Sequence, residues 1–127
     1  MISITKRYTF EASHSLPYYE GACSKVHGHS YKVEVTISGE VETDVKNKKC
    51  GMIIDFKDLK KILEEEVGKY DHQHLNVFFE NPTAENMVTT IFNDIDKHFK
   101  GEKKIKLKSV KLWETEDSYA ECEREIK

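Results

Sequence analysis

"DFKDLKKILEEEVGKYDHQHLNVFFENPTAENMVTTIFNDIDKHFK", residues 55–100, decides the fold. Phe56, Leu59, Ile62, Leu63, Val67 and Tyr70 fall on one helical stripe, and Asp55 stands where an N-cap belongs. "DHQHLN", residues 71–76, interrupts that period. "NPT", residues 81–83, opens a second helix with Met87, Val88, Ile91, Phe92, Ile95 and Phe99 as its apolar face. Pro82 suits its first turn, and Gly101 ends it. Two helices in succession, with no strand between them, argue against a doubly wound parallel sheet.

The flanks read as strands. Ile2, Ile4, Tyr8, Phe10, Ala12 and His14 share one parity, while Ser3, Thr5, Arg7, Thr9, Glu11 and Ser13 share the other. Residues 15–26, with Pro17 and Gly21, form a loop. From His29 a second strand begins, with Tyr31, Val33, Val35 and Ile37 on one side. "GEVETDVKNKKCG", residues 39–51, is an exposed connection. The tail from Lys104 reads as two strands joined near Glu116–Asp117. The order is ββααββ, over one domain spanning 1–127, with no repeat or linker. The simplest α+β arrangement is an antiparallel four-stranded sheet with two helices on one face. Its open edges are a hazard for a monomer, which oligomerisation would remove.

Composition narrows the function classes. The net charge of -3 does not suggest a general nucleic-acid binder. No window approaches the roughly 18 apolar residues of a membrane span. The start, "MISITKRYTFEAS", lacks the apolar stretch of about 7–15 residues that a signal peptide needs, so the expected location is cytoplasmic. Three cysteines make a disulfide framework a poor expectation.

"CSKVHGHSY", residues 23–31, crowds a thiol and two imidazoles at the start of a strand. In an extended segment His27 and His29 point to the same side, about 6.6 Å apart. His14 ends the preceding strand on its apolar parity. In a hairpin around the 15–26 loop it lies across from the pair. Three histidines without a fourth protein ligand describe a catalytic zinc site with an open position. HxH pairs also arise by chance, and His98, alone near a helix end, reads as a surface or capping residue.

Cys23 has three readings: an acid/base thiol, a passive loop residue, or a fourth zinc ligand completing a Cys-His₃ structural module. Cys50 and Cys122 read as inert. Asp71 beside His72 is a carboxylate that can orient a proton-shuttling imidazole, although His74 offers the same chemistry. Glu114 shares a parity with Val110 and Leu112, so its carboxylate needs a partner. That partner is either a Lys or Arg, or a guanidine-like ligand edge presenting two parallel donors. Glu85 suits the first turn of a helix as a dipole-favoured charge.

Taken together, "FEASHSL", "CSKVHGHSY", "IIDF", "DHQHLN", "NPTAEN" and "ETEDS" resemble, in order and spacing, the 6-pyruvoyltetrahydropterin synthase family along essentially the whole chain. Ser24, Lys25 and Val26, three residues between thiol and HGH, match the branch of 6-carboxytetrahydropterin synthases of queuosine biosynthesis. The resemblance implies a tunnelling T-fold whose trimers close into a barrel and stack as a hexamer, with sites between subunits. It implies that His14, His27 and His29 hold Zn²⁺, that Cys23 accepts a proton, and that His72, supported by Asp71, is the partner acid/base. It further implies that Glu114 anchors the pterin and joins the relay, while Thr83 and Glu85 line its pocket. Ala84 stands where some relatives have a second Thr. The reaction implied converts 7,8-dihydroneopterin triphosphate to 6-carboxytetrahydropterin, releasing acetaldehyde and triphosphate. The alternative is triphosphate elimination to the pyruvoyl product. A related pattern replaces the thiol with Glu and makes a hydroxymethyl product, against which Cys23 argues.

Overall fold

The computed structural model describes residues 1–125. Its elements are β1 (Ile2–His14), β2 (His27–Gly39), α1 (Phe56–Glu66), β3 (Gln73–His74), α2 (Ala84–Asp96), β4 (Ile105–Thr115) and β5 (Ser118–Glu123). The sheet runs in the order β3-β1-β2-β4-β5. Every pairing is antiparallel except β1 with β3. The architecture is the expected α+β, with one strand more than the four foreseen. The extra strand is two residues long, too short to show any alternation. It is fastened by neighbours: His72 N–H donates to the Glu11 carbonyl at 2.6 Å, and the His74 ring bonds the Ser13 hydroxyl at 2.9 Å.

Asp55 caps α1 by accepting from Lys57 N–H, as its position suggests. The first helix stops at Glu66 rather than running to Tyr70, and a tighter 3-10 turn covers Gly68–Tyr70. A side chain at Gly68 would stand 3.0 Å from the Tyr8 hydroxyl, so glycine admits the close approach of β1 there. Thr83, not Pro82, begins α2: its side chain accepts from Asn86 N–H at 3.2 Å. Pro82 therefore lies just outside the helix, where its carbonyl is free to serve the site described below. The apolar stripe of the second helix finishes in a 3-10 turn, Lys97–Phe99. His98 there bonds Glu66 at 3.1 Å, as a surface residue.

The helices cover one face of the sheet. Phe10, Tyr31, Val33, Val35 and Ile37 meet Leu59, Leu63, Ile91 and Ile95 in a single core with Leu107, Val110 and Leu112. Phe10 stacks on Tyr31 with ring centroids 4.9 Å apart. Leu107 and Val110 have opposite parity yet both are buried. A register shift opposite Thr36/Ile37 leaves Lys108 unpaired and turns both inward. Leu63 is fully buried between α1 and the sheet. Leu63→Ala is expected to lower unfolding free energy by about 2–5 kcal/mol, read from the urea midpoint at unchanged slope. No helix among the described residues is long and apolar enough to cross a membrane.

Candidate functional site

Strand register builds the centre of the site. β1 ends at His14, whose Cα partner across the hairpin is His27, and Ala12 faces His29. All three imidazoles emerge on the helix side of the sheet, at its open end. One ligating atom from each lies within 4.8 Å of the others. The strand that carries the pair starts at His27, two residues earlier than alternation alone suggested, and this extends the hairpin to its mouth. A side chain at Gly28 would come 3.4 Å from the Ala12 carbonyl, so the backbone is near but not barred.

Hydrogen bonds assign the outer nitrogens. His14 Nδ1 lies 2.8 Å from the Pro82 carbonyl and 3.2 Å from the Tyr31 hydroxyl. His27 Nδ1 lies 2.8 Å from the Lys25 carbonyl. A carbonyl only accepts, so each Nδ1 carries the proton and each Nε2 presents a lone pair. Those two Nε2 atoms face one another at 3.1 Å. Two acceptors at that distance repel unless a cation lies between them. The buried His29 Nε2 has no hydrogen-bond partner among the described residues. Burial, reinforced by the two neighbouring imidazoles, pushes the His29 pKa down against the opposing pull of Glu114. That shift favours the neutral ring, the form that binds metal. This donor set fits a tetrahedral ion held at about 2.0–2.1 Å by three nitrogens, with one position left over. Outward Nδ1–H bonds of this kind orient ligating histidines.

Glu114 lies beside the centre, its Oε1 3.6 Å from His29 Nε2. The β4–β5 register shifts between Trp113 and Thr115, leaving Glu114 unpaired in a bulge that re-aims its side chain. Among the described residues no Lys or Arg pairs with it, which disfavours the structural ion pair. Glu114 and Glu85 instead line one pocket of about 470 Å³ with Ala84 and Tyr119. Thr83 caps the helix that supplies Glu85, so the start of α2 serves both the pocket and, through Pro82, the imidazole cluster.

Asp71 and His72 form the expected couple: Asp71 Oδ2 lies 2.9 Å from His72 Nδ1. Asp71 Oδ1 also accepts from Glu11 N–H at 2.9 Å. That backbone bond, then the imidazole, hold the Asp71 carboxyl below its ordinary pKa. His72 has φ 59°, the one non-glycine residue in the left-handed region among those described. Its side chain is 79% exposed and borders a pocket of about 620 Å³ that His29 also lines. His74, the other candidate, is bonded through Nδ1 to Ser13.

Cys23 sits half-buried in a 3-10 turn, Ala22–Ser24, with a free thiol. It is not a member of the three-histidine group. The sulfur thus does not complete a Cys-His₃ set in this arrangement. Cys50 and Cys122 are also free and half-buried, and burial raises the Cys122 pKa. Residue patterns did not reveal the Tyr31 hydroxyl or the Pro82 and Lys25 carbonyls. The only signal for them is the general need of a ligating imidazole for an outer acceptor.

A family model for 6-pyruvoyl tetrahydropterin synthase matches residues 3–125. A protein of Archaeoglobus fulgidus named putative 6-carboxy-5,6,7,8-tetrahydropterin synthase is 44% identical over 116 residues, 91% of this chain and 90% of that one. A Pyrococcus furiosus protein named dihydroneopterin monophosphate aldolase is 35% identical over 120 residues, covering 94% and 96%. The solved structure of the Caenorhabditis elegans 6-pyruvoyl tetrahydropterin synthase superposes with a TM-score of 0.81 at 23% identity, over 98% of this chain and 96% of that one.

Proposed function

Since the chain belongs to the 6-pyruvoyl tetrahydropterin synthase family, we propose that it converts 7,8-dihydroneopterin triphosphate and one water to 6-carboxy-5,6,7,8-tetrahydropterin, acetaldehyde and triphosphate, the water supplying the carboxylate oxygen when the side-chain carbon–carbon bond breaks. The observation that carries this reading is the imidazole triangle: outer nitrogens tied to carbonyls, inner lone pairs converging, and carboxylates without cations alongside. His14, His27 and His29 would hold zinc, which suits three imidazole nitrogens with a free position. A bound zinc ion supplies Lewis acidity toward the hydroxylated side chain of the substrate.

The protein's own groups do the rest. Glu114 and Glu85 accept the parallel N–H donors of the pterin edge, as a carboxylate accepts a guanidinium. Thr83 is not among the residues lining that pocket; it serves it by capping the helix that carries Glu85. Cys23, as thiolate, takes a proton from the substrate side chain. His72, oriented by Asp71, returns one. Because the His72 ring points outward, its thiol partner is best supplied by a neighbouring copy in a hexamer of two stacked trimers. The product is assigned to 7-deazaguanine synthesis in the cytoplasm.

A second reading is favoured by the aldolase name of the Pyrococcus furiosus relative. Incubation of the zinc-loaded protein with dihydroneopterin triphosphate and, separately, the monophosphate decides between them by mass spectrometry. A 6-carboxy product with acetaldehyde is the expected result. A pyruvoyl product from the triphosphate, or a hydroxymethyl product from either, overturns it.

A further inference from the structure

The loop that carries Cys23 runs from one metal-facing histidine to the other, and it is held at two points by the segment leading into α2. At its root, Asn76 grips Ser15 with both ends of its amide. Asn76 Oδ1 accepts from Ser15 N–H at 2.9 Å, and Asn76 Nδ2 donates to the Ser15 carbonyl at 2.9 Å. The next residue, Leu16, donates its N–H to the carbonyl of Cys23 itself at 3.0 Å. At the crown, the Tyr18 hydroxyl donates to Glu80 Oε1 at 2.5 Å. Ser24 and Lys25 N–H then fold back on Gly21 and Ala22, closing the turn around the thiol.

We propose that Asn76 is a positioning residue for the Cys23 thiol, with the Tyr18–Glu80 bond as a second point of the same brace. The chemistry demands an amide at position 76. Only Asn or Gln offers one donor and one acceptor side by side, as a strand partner would, and Gln is a methylene too long. The segment 15–26 has no ladder of its own, so without these bonds its backbone is free to sample other conformations. Asn76 is half-buried, and among the described residues its amide hydrogen-bonds to Ser15 rather than to the thiol or an imidazole. It acts by fixing Ser15, from which Leu16 fixes Cys23. A displacement of about 1 Å at a reacting group can cost a hundredfold in rate, so a brace of this kind bears on turnover.

The inference rests on Cys23 being the working thiol, and its test does not depend on turnover. Cys23, Cys50 and Cys122 are labelled with iodoacetamide in the purified full-length protein, and each rate is followed by peptide mass spectrometry. Asn76→Ala is expected to raise the Cys23 rate about tenfold, and Tyr18→Phe a few-fold, while Cys50 and Cys122 stay within about twofold. On the pterin substrate, kcat of Asn76→Ala falls about tenfold while KM changes less. Tyr18 is 70% exposed, so its phenylalanine variant leaves the core intact and decides the matter should Asn76→Ala fail to fold. A Cys23 rate within twofold of the parent in both variants overturns the proposal, as does an equal rise at all three cysteines. A selective change at Cys23 in a protein that leaves every pterin intact keeps the brace and ends the enzymatic reading. Unchanged labelling in an active enzyme ends the brace alone.

Discussion

His29→Ala is expected to weaken zinc binding by more than a hundredfold and to reduce turnover to background. Loss of a mere outer partner of a metal ligand typically costs about 10–100-fold in affinity, and His29 would be a direct ligand. Its Nε2 is buried and has no hydrogen-bond partner among the described residues, with only the Glu114 carboxylate 3.6 Å away. His14 and His27 remain, tied to Pro82 and Lys25, but two nitrogens make a poor cage for an ion that prefers four donors. His29 is a better test than His14, which is 1% exposed and bonded to Pro82 and Tyr31, so that its removal also disturbs packing. Zinc content after gel filtration and a chelator competition give the affinity, and far-UV circular dichroism reports the fold. A variant that keeps one tightly bound zinc per chain removes the triangle from the account.

Cys23→Ala is expected to do the reverse: to keep zinc and fold while turnover falls about a thousandfold. The sulfur is outside the imidazole group and sits in an exposed turn, so neither the metal nor the core depends on it. General acid–base groups contribute about 10²–10⁴ in rate, which sets the magnitude. The comparison separates two kinds of protein. If zinc leaves and the chain unfolds, the sulfur is a ligand and the site is a structural staple. If zinc stays and turnover is unchanged, the proton is taken by another group, and His74 beside Ser13 is the next to examine.

Much of this was legible because side-chain parity along a strand is a strict rule. Alternation through Phe10, Ala12 and His14, and again through Tyr31, Val33 and Val35, puts the histidines on the core side from the sequence alone. The β1–β2 register then brought His14 opposite His27. Three things escaped. The two-residue β3 is made by bonds from His72 and His74, not by a pattern in its own residues. The bulges at Lys108 and Glu114 arise from pairing with β2 and β5, which a single strand does not announce. The acceptors behind His14 and His27 are backbone carbonyls, and every residue has one. The triangle itself was therefore readable, while the frame that orients it was not.

The backbone at His72 has φ 59°, in the left-handed region that residues with a side chain seldom adopt, at a cost of about 1–3 kcal/mol. Whoever screens this protein for heat resistance alone will find that asparagine or glycine does well there. Such a campaign would discard early the imidazole proposed above as the acid/base, so any thermal selection on this scaffold must score catalysis in the same round.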